Sequence, residues 1–222
     1  MRKIAIGVAA VLLAWGFSVW AYPSLPERVA THWGMAGRAD GWSSKAILVF
    51  VFPAVMLGLG LLLTVLPKID PRQKEVVAHA PTYLLLVNVI MVFMAGIQVL
   101  LVGVNLGWPI DIPLLIPVGV GLLLMVIGNL MPRMRPNWFM GIRTPWTLAS
   151  EVVWRKTHRL GGYCFMAMGV LMVGIGFVAT PQRFPYLLGA VVALAVIPVV
   201  YSYFAWRREQ EAAPSSTFPA GE

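Results

Sequence analysis

Six stretches of this chain, 4–20, 46–66, 83–104, 112–130, 163–179 and 184–206, contain no Asp, Glu, Lys or Arg, and each is 17 to 23 residues long. At about 1.5 Å of rise per residue, even the shortest helix reaches roughly 25 Å, enough to cross hydrocarbon with some local thinning. Lipid offers the backbone no hydrogen-bond partner, so such stretches must be helical. Only 12% of the 222 residues are charged, against about a quarter in soluble domains. The sequence therefore predicts an all-α, polytopic integral membrane protein with six transmembrane helices. The first stretch has a basic start and Val19-Trp20-Ala21 as a signal-like end, but the bulk of Trp20 and the length favour an uncleaved anchor.

The charge outside these stretches is lopsided. Arg2 and Lys3, then Lys68, Arg72 and Lys74, then Arg133, Arg135, Arg143, Arg155, Lys156 and Arg159, then Arg207 and Arg208 fall on one side of a six-pass chain. Only Arg28, Arg38, Lys45 and Arg183 fall on the other. The positive-inside rule predicts that both termini and the loop 129–162 are cytoplasmic, in a bacterial inner membrane, with the loop 21–45 outside. Rings near the run ends, among them Trp20, Trp42, Trp108, Trp138 and Trp206, suit an interfacial belt. The net charge of +8 lies in loops and follows orientation, so direct nucleic-acid binding is not expected. The lone Cys164 excludes an internal disulfide framework.

Three segments lie along the chain: an N-terminal two-helix segment 1–66 carrying the outer loop, a four-helix region 67–206, and a disordered tail 207–222. In the outer loop, Asp40-Gly41 reads as a turn. In the second inner loop, Asp70, Pro71 and Gln73 predict a capped short helix ending near Pro81. In the fourth, Thr144 and Pro145 read as an N-cap and first turn. An interfacial cytoplasmic helix should run from there to about Leu160 and stop at Gly161-Gly162. Glu151, Arg155 and Arg159, spaced by four, form a charged row on that helix, with its arginines near lipid phosphates.

The stretch Gly128-Asn129, Pro132, Asn137, Gly141-Ile142-Arg143-Thr144-Pro145-Trp146-Thr147-Leu148, Glu151, Trp154, Lys156-Thr157-His158-Arg159 and Gly161-Gly162 closely resembles the SdpI family of bacterial membrane proteins. The outer loop, with Leu25-Pro26, His32, Gly37, Asp40-Gly41 and Lys45, resembles an N-terminal domain of unknown function that often accompanies such segments. The resemblance implies immunity to a secreted antimicrobial peptide, conferred by binding. It also implies signalling, in which toxin engagement lets the protein hold a cytoplasmic transcriptional repressor at the membrane.

Other chemistries find weaker support. His32, His79 and His158 fall on opposite sides of the predicted topology, and His32 with Asp40 gives too few ligands for a closed zinc site. Hydrogen bonding within the loop suits His32 better, and no metal or cofactor is expected. There is no G-x-S-x-G or H-E-x-x-H, so the chain reads as a non-enzyme. Ion-coupled transporters keep ionisable groups inside their spans, and here only Asn88, Gln98 and Asn129 are polar candidates. A small-solute transporter or a lipid-acting enzyme remains the alternative. Trp138, Trp146 and Trp154 suit a peptide cradle or the interfacial belt equally. The partner-facing or conformational residues are Asn129, Pro132, Asn137, Gly141, Arg143, Thr144, Pro145, Trp146, Glu151, Trp154, Thr157, His158, Arg159 and Gly162. The toxin-facing ones are Pro26, His32, Trp33, Gly37, Asp40 and Lys45.

Overall fold

The computed structural model describes residues 4–34, 37–70, 80–177 and 183–212. Among the described residues there are seven α-helices: α1 (Ala5–Ala21), α2 (Phe52–Val65), α3 (Ala80–Asn105), α4 (Ile112–Leu130), α5 (Pro145–Ala149), α6 (Glu151–Gly176) and α7 (Arg183–Ala212). All but α5 belong to segments long and apolar enough to cross a membrane. The chain is a multi-pass membrane protein. The short helix expected after Asp70 lies outside the described residues, except that Ala80 and Pro81 open α3.

The spans pack as two groups. α1 lies chiefly on α3, with α2 against both, while α6 lies between α4 and α7. α3 meets α4 only sparsely. The third span therefore packs with the N-terminal pair, not with the later helices that the sequence grouped it with.

Within the first group, glycine and amide side chains allow close approach. Asn88 Oδ1 on α3 accepts the Gly7 N–H at 2.8 Å, one of the donors the start of α1 leaves unpaired. A Cβ on Gly7 would come within 2.8 Å of Met91, whose tip also fills the space beside Gly60 of α2. α2 is entered through a π-turn, Ile47–Val51, in which the Phe52 N–H reaches the Ile47 carbonyl. In that register the Leu48 carbonyl should be met by residue 53, but Pro53 has no N–H. Gln98, fully buried, donates to this orphaned carbonyl at 2.9 Å and to Ser18 Oγ at 2.9 Å.

The loop after α1 is not irregular. β1 (Arg28–Trp33) and β2 (Ala39–Ser44) form an antiparallel hairpin with a bulge around Thr31. Asp40-Gly41, expected to turn, lies inside β2. Glycine is needed there because a Cβ would sit 2.7 Å from His32 Cβ on the paired strand. The reversal comes at 34–38, where Gly37 has φ +73° and presses on Pro113 of α4. Asn105, at the end of α3, accepts from the Ala30 N–H (2.7 Å) and donates to the Ala30 carbonyl (3.0 Å), as a neighbouring strand would. Both Ala30 backbone groups thus face α3. Ala30 opposes Trp42, so the Trp42 backbone groups face the outer edge of β2. Val29, Leu25, Leu48, Val49 and Val102 seal the hairpin onto the spans.

In the second group, backbones meet through four glycines. Gly121 faces Gly169 and Gly128 faces Gly162, with each imagined Cβ 2.5–2.7 Å from the opposing carbonyl oxygen. Gly161-Gly162 therefore does not end a helix. α6 runs through it to Gly176, because neither residue needs to leave helical dihedrals; the α4 backbone fills the space beside Gly162, and the Ile142 and Met131 side chains fill that beside Gly161. At the other end, α7 continues to Ala212, past the expected onset of disorder at residue 207. Arg207 and Glu211 pair at i,i+4 (3.2 Å) among good helix formers. The rest of the tail lies outside the described residues.

Replacing Gln98 with Leu should cost about 1–2 kcal/mol in a detergent unfolding titration, because it strands the Leu48 carbonyl. In a Pro53→Ala background, where an ordinary helix can satisfy that carbonyl, the cost should largely vanish. An equal cost in both backgrounds would refute this role of Gln98.

Candidate functional site

The residues between α4 and α6 fold into a compact loop around His158, two turns into α6. His158 is fully buried and stacks on Trp154, with ring centroids 4.0 Å apart. The Ile142 N–H donates to His158 Nε2 at 3.0 Å. Nε2 therefore carries no proton, and Nδ1–H donates to the Trp154 carbonyl at 2.9 Å. Gly141 precedes this contact with φ +97°, and the His158 ring occupies the space a Cβ would need. Trp154, also fully buried, donates its indole N–H to the Met134 carbonyl at 2.9 Å. The i,i+4 pair Trp154/His158 thus pins both ends of the loop to α6.

Turn chemistry builds the rest. Asn137 Oδ1 accepts the N–H groups of Phe139 (3.0 Å) and Met140 (2.6 Å), and its amide donates to the Arg135 carbonyl. Arg143 donates to the Trp138 carbonyl at 2.5 Å, closing the turn across five residues. Thr144 and Thr147 cap α5 reciprocally, with Pro145 at the first helical position. The Thr147 hydroxyl also reaches the Ile142 carbonyl at 2.8 Å. Thr144 Oγ1 lies 3.0 Å from Ser202 Oγ, which ties the loop to α7. Trp146 packs edge-on against Tyr203 at 5.2 Å.

The expected helix from Thr144 to Leu160 is split. Ser150 adopts φ −137°, ψ 127° and caps α6 through the Val153 N–H. α5 is one short turn, and the row Glu151, Arg155, Arg159 opens the fifth span itself. Glu151 pairs with Arg135 (2.8 Å) and Arg155 (3.4 Å). It is the one acid in 129–162 beside six basic side chains, all exposed, so the rim is strongly positive.

Asn137, Gly141, Arg143, Thr144, Trp154 and His158 come together in this loop. Thr157 is buried on α6, Pro132 lies against Gly162 at the seam, and Asn129 and Arg159 are exposed outside the cluster. Trp154 is buried, so the three tryptophans do not form one cradle. At the hairpin end, His32 Nδ1 meets Asp40 Oδ1 at 2.5 Å, the loop bond expected for it. Lys45 lies over Tyr22 and pairs with Glu27 at 3.0 Å. Trp33 packs inward, Pro26 is exposed, and Trp42, which the sequence reading left to the belt, is 52% exposed. Asn105, Ser150 and Ser202 were missed, and Asp70 was read only as a helix cap. Asp70 is buried, and its carboxylate accepts the Trp138 N–H at 3.0 Å, linking the two groups at the arginine end. Only Ser150 left a readable sign, a serine before Glu151 at a helix start.

Residues 133–202, spanning this loop, α5, α6 and much of α7, match the SdpI/YfhL protein family. Residues 133–202 are an SdpI-family segment. Residues 9–57, which carry α1 and the hairpin, match a domain of unknown function (DUF1648). Over 209 residues the chain is 28% identical to the immunity protein SdpI of Bacillus subtilis (strain 168), covering 94% of this chain and 98% of that one. No solved structure matches the chain. In the SdpI segment, the GIRTPWTL block is thus the wrapping of His158: glycine for the positive φ, arginine for the turn, threonines for the cap.

Gly141→Ala should lower stability by roughly 2–4 kcal/mol, since it meets both the positive φ and the His158 ring. His158→Phe keeps the stack but strands the Ile142 N–H, at about 1–3 kcal/mol. Thermal unfolding in detergent reads both, and a wild-type midpoint for Gly141→Ala would contradict the packing described.

Proposed function

We propose that this protein confers immunity to a secreted antimicrobial peptide by binding it, with the hairpin outside the cell and the arginine-rich loop and both termini in the cytoplasm. The observation that carries this reading is the near full-length similarity to an immunity protein, whose alignment includes both the hairpin and the SdpI segment. The asymmetry of basic residues supports the orientation.

The hairpin is suited to meet a peptide at the outer leaflet. Trp42 presents an exposed ring beside the open edge of β2, which an extended segment can join, and His32, Asp40 and Pro26 flank it. Anchoring by Asn105 and Lys45 means that little ordering cost attends binding. Signalling needs a connection between the ends. α4 offers one: its first turn bears on the hairpin tip through Pro113, and its last turns meet α6 beside the loop. Binding outside would shift α4 against α6 and change the basic rim that a cytoplasmic repressor meets.

The test is deletion and complementation in a strain challenged with its own or a neighbour's secreted peptide. Deletion should sensitise the cells. At matched membrane abundance, Trp42→Ala and Arg143→Ala should each lower the tolerated peptide concentration by about tenfold, the effect of losing one good contact or charged hydrogen bond. Arg143→Lys should restore little, because one ammonium does not reproduce the guanidinium fork. Unchanged sensitivity on deletion, for every such peptide, would overturn the immunity reading.

A further inference from the structure

Where the two helix groups meet at the arginine end, they leave an apolar cavity of about 300 Å³. Its walls come from both groups: Leu63 of α2, Val87 and Ile90 of α3, Ile127 of α4, Ile142 of the loop and Phe165 of α6. The volume lies at the lower end of small-molecule sites, roughly 300–1,000 Å³, and the chamber opens to its surroundings rather than being sealed.

The cavity is not apolar throughout its surroundings. Met134 and Met140 form a wall shared with a smaller notch of about 30 Å³, whose other lining includes Thr82, Arg133, Arg135 and Asn137. Two guanidinium groups therefore stand at the mouth of a greasy chamber, at the level where a helix leaves the hydrocarbon. The unbranched methionines between the lobes can yield to a flexible chain.

We propose that this double chamber is a binding site for one anionic phospholipid of the adjoining leaflet. An acyl chain fills the cavity between α3 and α4, and the phosphate meets Arg133 at the notch, beside Arg135, whose guanidinium also holds Glu151 at 2.8 Å. Charge complementarity selects the headgroup, and the cavity admits the chain. A lipid held there acts as a wedge between helix groups that touch sparsely, and so fixes their spacing at the loop. The inference is independent of the immunity reading.

The test is native mass spectrometry of the full chain from nanodiscs of equimolar phosphatidylglycerol and phosphatidylcholine. The protein should retain phosphatidylglycerol over phosphatidylcholine by about fivefold or more, the preference one interfacial arginine supplies. Arg133→Gln, at an exposed position, should cut that preference by roughly fivefold. Ile90→Trp, which fills the chamber, should reduce retained lipid of both kinds; if that variant fails to fold, Arg133→Gln alone decides. Retained lipid in the proportions of the bilayer, or a preference that survives Arg133→Gln, would overturn the proposal.

Discussion

The backbone contact between α4 and α6 is the constraint on which the rest of the C-terminal group depends. In lipid, helices gain little from burying apolar side chains against each other, because acyl chains are as apolar as leucine. Close approach of backbones, through Gly121 against Gly169 and Gly128 against Gly162, supplies dispersion and weak Cα–H···O contacts instead. Seven residues separate the glycines on each helix, so the two contacts share one seam and set one register. That register places His158 one turn and Trp154 two turns beyond Gly162, beneath the loop they hold.

Polar side chains do complementary work. Asn88, Gln98 and Asn105 each satisfy a backbone group that the main chain leaves open: a helix start, a proline-orphaned carbonyl and a strand edge. A membrane interior gives such groups no water to fall back on. All three lie on α3, so one helix fastens α1, α2 and the hairpin. The outer surface is thereby presented on a fixed mount, while the inner loop is mounted separately on α6. Asp70 at one end and the Gly37–Pro113 contact at the other join the two mounts.

The spans were legible because exclusion of charge from hydrocarbon is absolute enough to survive in a single sequence. The GIRTPWTL block was legible as a special segment, and its Thr144–Pro145 start as a cap. What misled was local punctuation. Gly161-Gly162 reads as a helix stop when neighbours are ignored, but Gly162 admits the α4 backbone and Gly161 admits Ile142 of the loop. Asp40-Gly41 reads as a turn, yet glycine there makes room for His32 across the hairpin. Arg207 looks like the end of structure because hydropathy falls, whereas helix propensity and an ion pair carry α7 on. In each case a tertiary neighbour, or a local pairing that hydropathy does not register, decided the outcome. Asn105 and Ser202 gave no signal at all, since their partners lie 75 and 58 residues away.

The central claim is that the glycine seam holds the signature loop in place. The direct measurement compares Gly128→Leu and Gly169→Leu with Gly174→Leu, a position on the same α6 where a Cβ meets nothing within 4 Å. Limited trypsin digestion in detergent reads the loop through cleavage after its arginines, alongside the thermal midpoint. The seam predicts that the first two variants unfold at lower temperature and are cut rapidly within 133–159, while Gly174→Leu behaves as wild type. Seam variants as resistant as the Gly174→Leu control would contradict it.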